Sequence, residues 1–165
     1  MGATLDIPNS LLSVIESRSS RLMYLSDMKP ETEVATTITA LPRPWRRDRS
    51  VSGRILSAGT ETFERGLGIP AGSRLSFRVP ERAQVFVATM ALDQHHHNGG
   101  DCVCVVTVAG QEAARLRLTP TESPHVIRVP CRPSDILEVR VEPAMNLDFG
   151  DFTNWCDASF VLASE

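Results

Sequence analysis

Asp148, Asp151 and Asp157, with Asn154 between them, place hard oxygen donors within ten residues around Gly150, in the block LDFGDFTNWCDASFVL that ends on the last apolar run. Ca²⁺ takes six to eight such oxygens, often from one loop plus a carboxylate elsewhere. Asp93, at the end of an apolar strand pattern, is the candidate second source, so the candidate metal set is Asp93, Asp148, Asp151 and Asp157. The same side chains serve equally as Asx caps of turns, and the block lacks the D-x-D-x-D-G spacing of an EF-hand loop. Both readings stand. Trp155 likewise has two: a platform for the apolar face of a pyranose ring, or a core residue of the strand that enters there.

Other reactive side chains point to less. His95, His96 and His97 lie in QHHHNGGD, a polar loop between two apolar strands, and consecutive histidines make a metal site only when a second shell converges them. Cys102, Cys104, Cys131 and Cys156 form no CxxC pair. Cys102 and Cys104, two apart in a strand, share a face and do not readily bridge each other. They read either as buried thiols or as partners of Cys131 or Cys156 in a disulfide, which would imply an oxidising compartment. Arg43, Arg46, Arg47 and Arg49 surround Trp45, a grouping able to hold an anion or a single strand, but Pro42 and Pro44 mark an irregular loop and Asp48 offsets part of the charge. No G-x-S-x-G elbow, H-E-x-x-H helix or P-loop is present, and nothing singles out a pair of carboxylates for glycoside hydrolysis.

The elements that must position these residues are strands. The 165 residues, 42% hydrophobic and 22% charged, suffice for one domain with its own core. A net charge of -3 gives no global basic field of the kind that drives nucleic-acid binding. No apolar run approaches the roughly 20 residues of a membrane helix, so no membrane insertion is expected, and the N-terminus does not read as a signal peptide. Residues 1–20 read as a lead-in segment and 21–163 as the domain. RLSFRV (Arg74 to Val79) and DILEVRVE (Asp135 to Glu142) alternate, with Leu75, Phe77 and Val79, and Leu137, Val139 and Val141, as inner faces. QVFVATMALD and CVCVVTV are apolar on both parities, which predicts central strands covered on both sides. ARLRL and HVIRVP are further strands, with a hairpin turn at the Gly110-Gln111 step. Between Gly53 and Leu75, Gly59, Gly66, Gly68, Pro70 and Gly72 predict a series of tight corners between short strands. About ten short strands make an all-β, jelly-roll sandwich of two antiparallel sheets.

In order along the chain stand Tyr24-Leu25-Ser26-Asp27, Arg46 to Ser50 with Gly53, and Gly59 through Thr62-Phe63-Glu64-Arg65-Gly66-Leu67-Gly68. Ser73-Arg74-Leu75, the strand from Phe86 to Asp93, and Asp151 with Asn154-Trp155-Cys156-Asp157-Ala158 follow. This succession, over about residues 21–163, resembles the NPCBM family, to which carbohydrate-binding module family 51 belongs. The resemblance implies a non-catalytic β-sandwich that binds a glycan, in some members a galactose-containing one, as an accessory module of a larger extracellular or periplasmic protein. It also implies a structural Ca²⁺ as the cofactor. Recognition by an apical loop surface would make Trp155, Asn154, Asp151 and Asp93 the ligand-binding set. Three departures accompany the likeness: Pro70 stands where the family commonly has a histidine after the glycine corner, Phe152 replaces a second histidine and Asn154 an aspartate, and the loop after Asp93 carries three histidines. The rival they suggest is a structural or protein-interaction sandwich without sugar binding.

Overall fold

Alternating apolar residues become strands where one parity can be buried along its whole length. The computed structural model describes residues 21–36, 43–93, 100–121, 124–144 and 151–164, and thirteen strands lie among them. The lead-in 1–20, His95 to His97 and Asp148 fall outside the described residues. Five strands are short: β1 (Leu22–Tyr24), β2 (Thr32–Ala35), β3 (Arg46–Arg47), β4 (Leu56–Ala58) and β5 (Glu61–Phe63). The others are β6 (Gly66–Pro70), β7 (Ser73–Arg78), β8 (Ala83–Leu92), β9 (Cys102–Val108), β10 (Gln111–Leu118), β11 (His125–Pro130), β12 (Ile136–Pro143) and β13 (Phe152–Leu162).

From β6 onward the chain crosses repeatedly between two antiparallel sheets, ordered β6-β13-β8-β11 and β7-β12-β9-β10. That is the jelly roll expected of the pattern. β3 extends the first sheet beside β6, β1 pairs with the far half of β13, and β2 extends the second sheet beside β7. The expected inner faces of β7 and β12 are buried against Phe86, Met90, Trp155 and Phe160 from the opposite sheet.

The two central strands are covered outside by different means. Ala91 of β8 lies under the β4–β5 hairpin, in a second small cluster with Leu56, Ala58 and Cys156. No such layer covers β9 among the described residues. Val105, on its outward face, is fully buried between its register partners Arg115 and Arg140, whose aliphatic stems can shield it. Their charged heads pair at the surface, Arg115 with Glu112 and Glu142, and Arg140 with Glu142.

The glycine-rich stretch is only partly a run of corners. Gly59 (φ 62°) opens the two-residue turn of the hairpin, with Ala58 opposite Glu61. Gly66 and Gly68 instead lie within β6, paired with β13, and Pro70 is its last residue. Their missing Cβ atoms serve close approach: one at Gly66 would strike the Trp155 carbonyl, and one at Gly68 the backbone from Arg49 to Val51 laid over the strand. The β9–β10 turn is Ala109–Gly110, both at positive φ, one residue earlier than the sequence suggests.

Candidate functional site

The parity of β13 divides the predicted site residues between two faces of one sheet. Trp155 points into the sandwich, where it is fully buried, and its Nε1 donates to Thr153 Oγ1 at 2.9 Å. The core alternative therefore holds for Trp155, and it offers no ring face to a sugar. Asn154 points outward, opposite Gly68 and Ala91, yet it is also fully buried because the hairpin lies over it. Its Nδ2 donates to the Ser57 carbonyl at 3.0 Å and ties β4 to the sheet.

Asp151 is buried and accepts the Asp101 amide on Oδ1 at 2.7 Å. It has the parity of Thr153 and Trp155. Its field adds to the causes that push the Cys102 thiol up, the larger being the Cys104 hydrogen bond and burial. Asp93, also buried, shares the outward parity of Ala91, accepts Ser52 Oγ on Oδ2 at 2.7 Å, and donates its amide to the Phe152 carbonyl. The predicted ligand-binding residues thus act inside the scaffold rather than on one apical surface.

The described members of the predicted metal set, Asp93, Asp151 and Asp157, do not converge either, while Asp148 lies outside the described residues. Asp93 and Asp151 leave opposite faces of the sheet, and Asp157 lies five to six residues farther along β13, about 16–20 Å at roughly 3.3 Å per residue. Ca²⁺ holds its ligands at roughly 2.3–2.6 Å, so one ion cannot join these carboxylates. Among the described residues no group of three or more His, Cys, Asp or Glu is placed to hold a metal.

Asp157 belongs to a different assembly. Between Cys156 and Ser159 the register of β13 on β8 shifts, so that Asp157 is the extra residue of a bulge, with φ 51°. A bulge re-aims a side chain without ending the strand: Ala158 returns to the core while Asp157 lines an outer groove. The Asp157 amide donates to the Arg65 carbonyl at 2.9 Å, and Ser159 Oγ donates to the Asp157 carbonyl, which holds the bulge in place.

The groove, about 610 Å³, is walled by Tyr24 of β1, by the hairpin from Thr60 to Arg65, and by Asp157. That volume lies in the range of ligand sites. Tyr24 and Phe63 are half-buried, while Thr60, Glu61, Thr62 and Glu64 are exposed. Arg65 is braced: its guanidinium lies 4.7 Å over the Tyr24 ring, pairs with Asp27, and approaches Asp48 Oδ1 at 3.5 Å. The hydrogen bond to Asp27 holds its pKa above the ordinary range against the opposing effect of burial. Hydroxyls, carboxylates and partly exposed rings together suit a ligand with many hydroxyl groups and an apolar ring face. Apart from Asp157, none of these residues was marked as binding by sequence, because TETFER reads there as strand and fingerprint. Threonine and glutamate alternating beside a two-residue turn were the available signal.

The basic cluster around Trp45 is engaged internally. Arg47 donates to the Ser26 and Met28 carbonyls and lies over the Trp45 ring, Arg46 donates to the Val51 carbonyl, and Trp45 Nε1 donates to Glu33. Pro70 and Phe152, both replacing histidines common in the family, are register partners across β6 and β13. Arg43 lies 5.4 Å over the Phe152 ring. All four cysteines are buried free thiols, the first of the two expectations.

Residues 21–161 match the profile of the NPCBM/NEW2 domain. Comparison with curated proteins gives no significant match. Among solved structures, the chain is similar to CBM51-2 of Clostridium perfringens ZmpB in complex with GlcNAc and INT domains, at TM-score 0.79 and 22% identity over 88% of this chain and 32% of that one. It is similar to CBM51 from Clostridium perfringens GH95 in complex with methyl-galactose, at TM-score 0.76 and 15% identity over 85% of this chain and 99% of that one. For the tandem CBM51 modules of Sp3GH98 from Streptococcus pneumoniae the values are 0.72 and 16%, over 99% and 52%. The chain thus spans about a third of the ZmpB structure and half of the tandem one. At these identities the structural likeness is one of fold, and it agrees with the profile match: the protein belongs to the NPCBM/NEW2 domain family of carbohydrate-binding modules.

Proposed function

We propose that the chain is a non-catalytic glycan-binding module of a larger extracellular or periplasmic protein. The observation that carries this reading is the family match across residues 21–161, on a jelly roll shared with modules solved in complex with GlcNAc and with methyl-galactose. An accessory role is supported by the architecture of a neighbour, in which an M60 catalytic domain stands beside CBM51-1 and CBM51-2 domains of the same ZmpB. Galactose-containing glycans and GlcNAc are the first ligands to test. Affinity in the millimolar to micromolar range follows from a shallow site that makes few contacts and must immobilise a flexible ligand. A glycan array probed with the full chain tests this, and a blank array rejects it.

One observation favours a second reading, a sandwich that organises neighbouring domains without binding sugar. Pro70 and Phe152 are buried register partners on neighbouring strands, so a pair of positions where the family commonly has histidine carries apolar side chains here. The same array separates the two readings.

A further inference from the structure

Within the glycan-binding reading, on which this rests, we infer that the groove between Tyr24, the hairpin turn and Asp157 is the sugar site, and that it takes glycan ends that are uncharged or bear an amine while rejecting carboxylated ones. Three observations combine. The groove is an outer-face cavity of ligand size with two half-buried aromatic rings in its wall. It is built rather than incidental: the bulge at Asp157, the hairpin turn at Gly59 and the bracing of Arg65 each fix one side of it. Its lining carries an excess of negative charge: Glu61, Glu64 and Asp157 share it with the cation Arg65, whose guanidinium is already paired with Asp27 and near Asp48.

Carboxylates and threonine hydroxyls accept hydrogen bonds from sugar hydroxyls, and charged acceptors make the stronger ones. A uronate or sialate carboxylate entering the same space meets like charge, with no unengaged cation among the described lining residues to receive it. At separations of about 5 Å near a surface, two or three such repulsions amount to discrimination on the order of tenfold at low salt, shrinking as salt screens them. An amino sugar gains by the same field.

The test is a glycan array of neutral, amino and acidic glycans, probed with the full chain and with Thr62→Arg and Glu64→Lys, alongside melting temperatures. Both positions are exposed, so the variants should melt within a few degrees of the parent, and Glu64→Lys suffices if Thr62→Arg does not fold. Hits confined to neutral and amino-sugar ends are expected, at least fivefold weaker in Thr62→Arg and displaced toward acidic glycans in Glu64→Lys. Acidic glycans bound by the parent as well as neutral ones would overturn the charge selection. Hits unchanged in both variants would place the sugar elsewhere and overturn the site alone. A blank array would overturn the glycan-binding reading and this inference with it.

Discussion

An aspartate at position 154 would turn an acceptor toward the Ser57 carbonyl, where the asparagine now donates to it at 3.0 Å. Asn154→Asp should therefore destabilise the fold by about 1–3 kcal/mol, the cost of losing a buried bond and setting two acceptors together. Thermal melting should fall by roughly 3–10 °C for a chain of this size, and an unchanged melting temperature would show that the hairpin is not tied down there. The type and place of Asn154 suggested a ligand contact. Burial turned the same group into a clamp, because an amide under a covering hairpin must find its partner within the protein. Trp155 follows the same logic: the choice between platform and core depends on which face of β13 it occupies, and a bulge two residues later makes simple alternation an unsafe guide to the neighbouring faces.

Elements show where local pattern suffices. β7 and β12 fall where alternation predicts them, since a strand with one buried face needs period two to hide its apolar residues. Glycine spacing was a poorer guide, because the missing Cβ serves turning at Gly59 and close packing at Gly66 and Gly68. Substitution separates the two uses. Gly110→Ala, at φ 77° with open space around the new methyl, should cost about 1–2 kcal/mol from backbone strain alone. Gly66→Ala, at φ 137° and against the Trp155 carbonyl, should cost about 3 kcal/mol or more, since a central strand pair must open to admit it. Urea unfolding of both variants gives the comparison, and equal midpoints would contradict the packing role of Gly66.

Across the whole molecule, the buried thiols link stability to alkaline pH. Burial pushes Cys131 up to about 11 and Cys156 up to about 12, with smaller contributions from Asp135 and Asp157. In the unfolded chain both ionise in the ordinary cysteine range near about 8.5. Between those values the folded state holds more protons than the unfolded one, so stability is full below the unfolded pKa and falls as pH rises toward the folded values. Urea midpoints should decline from pH 8 to pH 10.5, and Cys131→Ala with Cys156→Ala should flatten that decline. A slope unchanged in the double variant would assign the effect to other groups. The same protection predicts slow alkylation of the native thiols at pH 8, with rapid reaction once urea unfolds the chain.

The chain's own pattern was enough to establish an all-β jelly roll, the inner faces of its alternating strands, the central place of β8 and β9, and the family. Each depends on period-two burial or on an ordered succession of residues, and both are properties of the linear sequence. The assembly of a site was decided only in three dimensions. Asp93, Asp151 and Asp157 looked like one carboxylate set because they are acidic and mostly near in sequence, but strand parity, a single bulge and about 16–20 Å of strand put them on different surfaces. The groove formed the other way round, from Tyr24, Thr60 to Arg65 and Asp157. Residues more than 130 positions apart meet there because β1 pairs with β13 and the hairpin folds back over the sheet.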